Sequence, residues 1–353
     1  MLTELDRPAA SAQRQMPAKP VVAIVGATGA VGVELLGCLE ARGFPLSRLK
    51  LLASSRSAGK EMAFRGEALV VEELTEASFD GVDIALFSAG SGLSKAFAPI
   101  AVRAGAVVVD NSSAFRMEAT VPLVVPEVNA GAMAVHQGVI ANPNCVAAIA
   151  TVALAPLHAA HRIKRLTMAT YQAASGAGAA AMEELRLATA AALAGESYQH
   201  KVLPHPYAFN FFSHNAEMDP ETGYNGEETK VVAETRRIMG LPDLPVGITC
   251  IRVPILRAHG MAISVEFDEV VSPEEARALL QAAPGVRVVD DRVANHFPMP
   301  SEASGQEDVL VGRIRTDIGD PSGRSLALFV VGDQLLKGAA QNAVQIAEAL
   351  LPR

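Results

Sequence analysis

Cys145 stands where a thiol could act as a nucleophile. It follows an apolar run and the segment 141–144, and it precedes a long alanine-rich stretch that is typical of a helix. A thiol at the N-terminus of a helix meets the positive end of the helix dipole, which favours the thiolate over the thiol. Because the thiolate is the attacking form, this position predicts covalent catalysis. Cys38 and Cys250 lack such a setting, and we expect both to be small buried residues.

A glycine-spaced run near the start of the chain predicts a binding site for a dinucleotide. The run covers residues 26–32; it follows an apolar strand predicted over 21–25 and precedes a helix predicted over 33–42. In such a unit the glycines let the backbone approach a pyrophosphate, whose charge faces the first amides of the helix. The residues expected to contact the cofactor here are Gly26, Thr28, Gly29, Ala30 and Val31.

The end of the second predicted strand indicates which dinucleotide is bound. Strand 49–53 leads into Ser54, Arg56 and Ser57. Proteins that bind NAD usually carry an acidic residue at this point, whereas hydroxyls and an arginine suit a 2′-phosphate. The segment therefore favours NADP, and an incidental position of Arg56 in a solvated loop is the alternative.

Further apolar runs over 83–87, 106–109 and 138–140 continue the alternation of strands and helices. Small residues, among them Gly90, directly follow the first of these strands and keep the carboxyl edge of a parallel sheet open for ligands. We predict an α/β fold in which residues 19–148 form an N-terminal Rossmann-type nucleotide-binding domain.

A second domain is predicted after this point, over residues 149–332. Alternating polar and apolar residues indicate strands with one less buried face, separated by helices over 178–194 and 273–281. We interpret it as an α+β domain for catalysis and dimerisation, so that the protein forms a homodimer. A closing helix over 335–351, within the segment 333–353, is expected to return to the nucleotide domain. The strands are predicted over 163–171, 249–253, 262–267, 309–315 and 325–331.

Composition excludes several classes of function. The 353 residues carry a net charge of -8, which leaves no basic stripe for a nucleic acid. No apolar run approaches the roughly 20 residues of a membrane span, and residues 1–18 lack the apolar centre of a secretory signal and are typical of a disordered tail. Three widely spaced cysteines predict neither a disulfide framework nor a metal site, and they fit a cytoplasmic protein.

A series of segments in this chain resembles the aspartate-β-semialdehyde dehydrogenase family. The resemblance covers essentially everything after residue 18. It implies reduction of aspartyl phosphate by NADPH to the semialdehyde, with release of phosphate, through a thioacyl enzyme in the biosynthesis of lysine, threonine, methionine and isoleucine. The segments are 26–32, 52–59, 111–116, 125–129, 142–145, 170–176, 252–253 with His259, and 311–315.

The resemblance implies catalytic roles for Cys145, His259 and Gln172. Cys145 would attack the acyl carbonyl, and amides at the helix start could hold the oxyanion. His259 would move the proton, which suits an imidazole because it titrates near neutral pH. Gln172 would orient the acyl group. The other histidines lack such a context, and we expect them at the surface or in loops.

The small-molecule substrate carries three charged groups, and the resemblance implies a partner for each. Arg252 would hold the α-carboxylate with its planar fork, and Glu227 would meet the α-ammonium. Lys230, one turn along the same predicted helix, would face the same way as Glu227 and reach the phosphate, together with Arg116 and Asn144. Taken without the resemblance, Glu227 and Lys230 could equally form a solvated pair.

Further cofactor contacts implied by the resemblance come from Ser175, Gly176 and Gln334. The chain also departs from the family's usual residues. Val146 stands where Ser or Thr is usual, and Leu336 replaces a charged residue. Gln334 stands where Asn is usual, and its longer side chain could still bond the nicotinamide amide.

Three other functions fit parts of the pattern. An N-acetyl-glutamyl-phosphate reductase shares the architecture and the thioacyl chemistry, but its blocked amine would leave Glu227 without an ammonium to meet. A non-catalytic paralogue of the same fold would explain Val146 and Gln334, although the nucleophile and the histidine are retained. A cysteine hydrolase without a cofactor is disfavoured by the glycine turn and by Arg56.

Overall fold

The computed structural model describes residues 15–352 of the 353. Of the tail predicted over 1–18, residues 1–14 lie outside the described residues. From Gln15 the chain is described, and Met16 packs against the apolar core beside the first sheet, so the last part of the predicted tail is folded onto the protein. Within this part of the chain, no helix is long and apolar enough to cross a membrane.

The secondary structure of residues 15–352 alternates strands and helices in the first half and mixes them less regularly in the second. The strands are β1 (Val21–Val25), β2 (Arg48–Ala53), β3 (Glu61–Phe64), β4 (Glu67–Glu73), β5 (Ile84–Phe87), β6 (Val107–Asp110), β7 (Val139–Ala141), β8 (Ile163–Gln172), β9 (Phe212–Ser213), β10 (Val246–Arg252), β11 (His259–Phe267), β12 (Val286–Val288), β13 (Val309–Thr316) and β14 (Ser325–Gly332). The α-helices are α1 (Ala30–Ala41), α2 (Ser91–Arg103), α3 (Pro126–Asn129), α4 (Cys145–Ala160), α5 (Ala179–Leu193), α6 (Gly226–Met239), α7 (Pro273–Ala282), α8 (Pro300–Ala303) and α9 (Gln341–Ala349). Short 3-10 helices cover Glu76–Phe79, Ala130–Val135 and Ala174–Ala177, and a π-helical turn covers Leu336–Ala340.

The first sheet has the strand order β3-β4-β2-β1-β5-β6-β7. Its central strands are parallel, and Val22 pairs with Leu49 on one side and Ile84 on the other. These strands are almost wholly apolar because helices cover both faces, with α1 and α9 on one face and α2 on the other. The parallel arrangement gathers the carboxyl ends of β1, β2, β5, β6 and β7 along one edge, where an α/β sheet binds its ligand.

The second sheet has the order β12-β13-β14-β11-β8-β10-β9 and is mixed. Strand β8 pairs parallel with β10 and antiparallel with β11. Along β11 buried residues alternate with half-buried ones, as the sequence predicted. Helix α4 is buried against this sheet along most of its length and supplies much of the largest apolar core.

The predicted α/β fold, a Rossmann-type domain followed by an α+β domain, is confirmed, and strand β1 has its predicted bounds. Several elements were missed: the β3–β4 hairpin, helix α2 with Pro99 in its interior, and the short strands β9 and β12. The helix predicted over 335–351 begins instead with the π-helical turn, in which the Gly338 amide donates to the carbonyl of Asp333 and the Ala340 amide to that of Leu335. Bulges of this kind are frequent at functional sites.

Candidate active site

Cys145 is the first residue of α4, directly beyond the carboxyl edge of the first sheet. Asn144 ends the preceding loop and caps the helix: its Oδ1 accepts hydrogen bonds from the amides of Val146 at 2.8 Å and Ala147 at 3.3 Å. Amides at the helix start were expected to hold an oxyanion, and the cap already occupies these two. The amide of Cys145 itself is the donor that the helix start leaves for that purpose.

The side chains that converge on Cys145 line a groove of about 430 Å³ between the two sheets. Both sheets contribute, since the loops after β5, β6 and β7 and the start of α4 supply one wall, and the ends of β8 and β10 with α6 supply the other. Eleven of the site residues predicted from the sequence line this groove. They are Val31, Gly90, Arg116, Asn144, Cys145, Gln172, Ser175, Gly176, Glu227, Arg252 and Gln334.

The electrostatic setting of Cys145 differs from the sequence-based expectation. Burial raises the pKa of the Cys145 thiol to about 12, and the Glu227 carboxylate adds to this shift. Arg116 and Arg252 act in the opposite direction without outweighing it. Burial in the groove thus disfavours the thiolate that the helix dipole was expected to favour. At neutral pH the sulfur is a thiol, and its proton must leave when it attacks.

His259 is fully buried at the start of β11. Its Nδ1 accepts the amide of Ala173 at 3.0 Å, so a neutral ring carries its proton on Nε2. Burial lowers the pKa of His259 to about 3, with the Arg252 charge acting in the same direction. Nε2 has no hydrogen-bond partner among the described residues, and a Cβ at Gly176 would lie 3.1 Å from it. The imidazole thus offers an unsatisfied N–H beside a groove residue.

Glu227 accepts hydrogen bonds from two amides that reach it from different elements. Its Oε1 accepts one hydrogen bond from Asn144 Nδ2 at 2.9 Å and another from Gln172 Nε2 at 3.1 Å. Burial acts to raise the pKa of Glu227, but the two amide donors and the charge of Lys230 act against it, and that pKa lies below its ordinary value. Gln172 is fixed in turn by Thr170, whose hydroxyl donates to Gln172 Oε1 at 2.9 Å. Glu227 is therefore an ionised carboxylate, and Asn144, the cap of α4, helps to set its position.

The helix that carries Glu227 is specified by its ends. Asn225 Oδ1 accepts from the amides of Glu227 and Glu228 at 3.0 Å each, and Glu228 Oε2 accepts from the Asn225 amide at 2.9 Å. Gly240 closes the helix in the left-handed conformation with φ 67°. Lys230, one turn beyond Glu227, is exposed and does not line the groove, although its charge acts on Glu227 and His214.

Arg252, at the end of β10, is buried and held by three groups. Nη1 donates to the carbonyl of Ala173 at 2.8 Å, and Nη2 lies 2.7 Å from His214 Nε2 and 3.2 Å from Asn215 Oδ1. Arg252 Nε is buried without a hydrogen-bond partner among the described residues. Since such a donor costs free energy when it is left unsatisfied, the geometry favours a bound acceptor at this place.

His214 is a site residue that sequence reasoning missed. Burial lowers the pKa of His214 to about 4, and Arg252 and Lys230 add to the shift although Glu227 opposes it. The ring is therefore neutral, and its Nε2 accepts from the Arg252 guanidinium, which can only donate. His214 lies in a loop without hydrophobic periodicity, and we find no sequence signal that could have indicated it.

Arg116 is buried and anchored on three sides. Nε donates to the Asn142 carbonyl at 2.9 Å, Nη2 to the Asn111 carbonyl at 2.8 Å, and Nη1 to Glu234 Oε1 at 3.1 Å. A guanidinium has five N–H donors, so one N–H on each terminal nitrogen is left for a ligand in the groove. This arrangement suits an oxyanion such as phosphate.

The glycine turn lies beside the groove, at the end of β1. Gly26 has φ +87°, and a Cβ there would lie 2.5 Å from the Ser88 carbonyl oxygen, so only glycine fits. Helix α1 begins after Gly29 without a side-chain cap, whereas Asn144 and Asn225 cap α4 and α6. Its first amides are thus left for an anion, which fits a dinucleotide pyrophosphate.

The other residues assigned to the cofactor divide into two groups. Thr28 Oγ1 donates to Ser57 Oγ at 3.3 Å, and Ser54 and Arg56 are exposed on the same loop at the end of β2. Ala30 starts α1 next to this loop. The second group lines the groove, where Gln334 Nε2 donates to Ser175 Oγ and Gln334 Oε1 accepts from the amide of Ala258 at 2.9 Å. Gln334 therefore bridges two segments of the protein, a role that the sequence did not indicate.

Gly338 is a further groove residue that was not singled out. It lies in the π-helical turn, and a Cβ there would come within 2.7 Å of Cys145 Cβ. The turn thus packs its backbone directly against Cys145. Among residues 15–352, no cluster of three or more His, Cys, Asp or Glu side chains is placed to hold a metal ion.

Comparison with known proteins agrees with this geometry. Residues 21–136 match the family model for the semialdehyde dehydrogenase NAD binding domain, and residues 154–337 match that for the semialdehyde dehydrogenase dimerisation domain. The chain is 53% identical over 338 residues to an aspartate-semialdehyde dehydrogenase of Synechocystis sp., covering 96% of this chain and 99% of that protein. A relative of the same description from Prochlorococcus marinus is 47% identical over 342 residues, with 97% and 99% covered. The crystal structure of aspartate semialdehyde dehydrogenase II complexed with ASA from Vibrio cholerae is similar at a TM-score of 0.91 and 42% identity, with 95% and 98% covered.

Proposed function

The chain belongs to the aspartate-semialdehyde dehydrogenase family, and on that premise we propose which of its residues carry out each step of the family's reaction. The reaction interconverts aspartyl phosphate and aspartate semialdehyde and serves amino-acid biosynthesis. A nicotinamide cofactor supplies or accepts the hydride when bound. The observation that carries the proposal is the convergence of Cys145, Gln172, Glu227 and Arg252 on one groove beside the glycine turn.

Cys145 is the nucleophile of this proposal. Its Sγ bonds to the acyl carbon, the bond between that carbon and the phosphate oxygen breaks, the thiol proton leaves with the phosphate, and a thioester remains. After reduction of the thioester, the carbon–sulfur bond breaks and releases the aldehyde. The raised pKa of the Cys145 thiol means that attack and loss of the proton are coupled, and the charges of Arg116 and Arg252 support the developing thiolate.

His259 acts on the oxygen of the reacting carbon. Its Nε2–H is the unsatisfied donor next to Gly176, so it donates a hydrogen bond to the oxyanion that forms on this carbon. Gln172 cannot exchange a proton, and its amide positions the acyl group beside Glu227. The role expected for Gln172 is unchanged. For His259 we propose hydrogen-bond donation from Nε2 in place of proton transfer, because burial lowers the pKa of His259 to about 3.

The substrate is held by groups of opposite charge. Glu227 is ionised and meets the α-ammonium, and Arg252 offers its unsatisfied Nε to the α-carboxylate. Arg116 offers its two spare N–H groups to the phosphate. Lys230 is close enough to affect the pKa of Glu227 and attracts the anion from the exposed side, and Asn144 fixes Glu227.

We propose NADP as the cofactor rather than NAD. Arg56 supports this choice. It is exposed on the loop after β2, and a hydrogen bond from Thr28 to Ser57 connects this loop to the glycine turn. The charge of its guanidinium suits a 2′-phosphate. We further propose that residues 19–148 with the C-terminal segment 333–353 form the NADP-binding domain and that 149–332 form the catalytic and dimerisation domain of a cytoplasmic homodimer. We also propose that the product of the reaction is used in the synthesis of lysine, threonine, methionine and isoleucine.

The test is absorbance at the nicotinamide band with NADP, aspartate semialdehyde and phosphate. We expect turnover that depends on phosphate, that continues when arsenate replaces phosphate, and that is absent with N-acetylglutamate semialdehyde. Cys145→Ser should bind NADP and lose nearly all of the rate. A well-folded protein that gives no turnover with either NADP or NAD would contradict the proposal.

A further inference from the structure

Glu234 is a buried carboxylate in contact with two parts of the groove wall. It follows Glu227 by seven residues on α6, so the two lie on the same face of the helix. Glu234 is 1% exposed. Its Oε1 accepts from Arg116 Nη1 at 3.1 Å, and its Oε2 accepts from the backbone amide of Asn144 at 2.5 Å.

These two contacts join the nucleophile to the arginine at the proposed phosphate subsite. Asn144 immediately precedes Cys145 and caps its helix, so the amide held by Glu234 belongs to the residue that starts α4. Of the three acceptors that anchor Arg116, Glu234 is the only one with a charge, since the other two are the carbonyls of Asn142 and Asn111. A single carboxylate therefore fixes the guanidinium and the helix start relative to each other.

A second contact from the same helix supports this connection. Arg237, one turn beyond Glu234, donates from Nη1 to the main-chain carbonyl of Arg116 at 2.6 Å. From Nη2 it donates to the carbonyls of Glu118 and Val121 at 2.8 Å and 2.7 Å. Helix α6 thus holds both the side chain and the main chain of Arg116.

Resting on the function proposed above, we propose that Glu234 is a positioning residue of the phosphate subsite. It holds the two spare N–H groups of Arg116 at a fixed distance from Cys145 Sγ, so that an acyl phosphate bound at Arg116 presents its carbon to the sulfur. Phosphate that attacks the thioester in the reverse direction is placed by the same contact.

The geometry requires a carboxylate at this position. Both groups that face Glu234 are donors, and an ionised carboxylate accepts at both of its oxygens. A glutamine would place its NH₂ against either Arg116 or the Asn144 amide, and two donors cannot bond to each other. Glu234→Gln therefore removes one of the two contacts with almost no change in volume.

The experiment measures the three Michaelis constants of the full-length enzyme and its variants. For Glu234→Gln we expect the KM for phosphate to rise about tenfold or more, the factor for one charge-assisted hydrogen bond. The KM values for aspartate semialdehyde and NADP should stay within about threefold of the wild type. Glu234→Asp keeps two acceptor oxygens on a shorter arm and should recover part of the phosphate affinity.

Glu228→Gln is the matched control, because Glu228 is a buried carboxylate on the same helix that does not touch Arg116. It accepts from the amides of Asn225 and Cys250. This variant should lose stability and keep its KM for phosphate. The proposal is overturned if Glu234→Gln leaves the KM for phosphate within about threefold, or if it raises all three constants equally.

A binding measurement separates this proposal from the proposed function. Inorganic phosphate should slow the alkylation of Cys145 by iodoacetamide, which needs no turnover. The concentration that gives half-protection should be about tenfold or more higher in Glu234→Gln than in the wild type. Equal protection in both would overturn the role of Glu234 whether or not the enzyme turns over. If Glu234→Gln fails to fold, Glu234→Asp decides, because unchanged protection in that variant would also overturn the proposal.

Discussion

One methyl group at Gly338 tests whether the π-helical turn sets the position of the nucleophile. A Cβ there would lie 2.7 Å from Cys145 Cβ, 3.2 Å from Cys145 Cα and 3.2 Å from Gln334 Cβ. Carbon atoms in contact prefer about 3.5–4.0 Å, so the start of α4 or the turn must move by about 1 Å. A displacement of about 1 Å at a reacting atom can cost about a hundredfold in rate.

The effect of Gly338→Ala on stability is smaller than its effect on rate. Overpacking costs about 1–3 kcal/mol, and replacing a helical glycine by alanine returns about 0.5–1 kcal/mol. The free energy of unfolding should therefore fall by about 0–2.5 kcal/mol, too little to unfold the protein at room temperature. A hundredfold loss of activity in a folded variant would then report on the position of Cys145.

The assay compares kcat/KM and urea unfolding for Gly338→Ala and a matched control. Gly37 also lies within a helix, α1, and a Cβ there meets nothing within 4 Å. Gly37→Ala should keep full activity and gain about 0.5–1 kcal/mol in the free energy of unfolding. A Gly338→Ala variant whose kcat/KM stays within about threefold of the wild type would refute the view that the turn positions the sulfur.

Three further predictions concern other contacts and charges of the protein. Because burial raises the pKa of the Cys145 thiol to about 12, alkylation by iodoacetamide should speed up about tenfold per pH unit from pH 7 to pH 9; a plateau within that range would show a thiolate at lower pH. Arg56→Ala should weaken NADP binding about tenfold more than NAD binding in a fluorescence titration, and equal losses would contradict the 2′-phosphate assignment. Lys337 is 1% exposed and donates to Glu127 and Gln345. Lys337→Met should lower the free energy of unfolding in urea by about 3 kcal/mol, because the Glu127 carboxylate loses its cation. An unchanged midpoint of urea unfolding would contradict this prediction.

The strands of the first sheet could be predicted because their signal is local. Five apolar residues in a row suit β1, since helices cover both faces of a parallel sheet. The β3–β4 hairpin could not be recognised in the same way. Glu67–Glu73 carries three glutamates and is mostly exposed, and its partner β3 is the edge strand of the sheet, so neither strand has the continuous apolar run of a buried strand. The π-helical turn was missed for another reason, because it depends on the approach of Gly338 to a segment far away in the chain.

The candidate site also combines features that have a local sequence signal with features that depend on contacts between distant parts of the chain. Motifs placed Cys145, Gln172 and Arg252 together, but the pKa of the sulfur depends on burial, which no local dipole argument contains. Glu234 could have been found, since its spacing of seven from Glu227 puts both carboxylates on one helical face. His214 could not, because its contact with Arg252 joins a loop to a strand without any sequence pattern.

A covalent adduct on the sulfur tests the central claim most directly. The enzyme would be mixed with aspartate semialdehyde and oxidised cofactor in phosphate-free buffer, quenched in acid and analysed by peptide mass spectrometry. We predict one aspartyl group on the peptide that contains Cys145, its removal when phosphate is added before the quench, and no adduct in Cys145→Ser. Phosphate-dependent turnover with an adduct on another residue, or a Cys145→Ser variant that keeps its rate, would contradict the account.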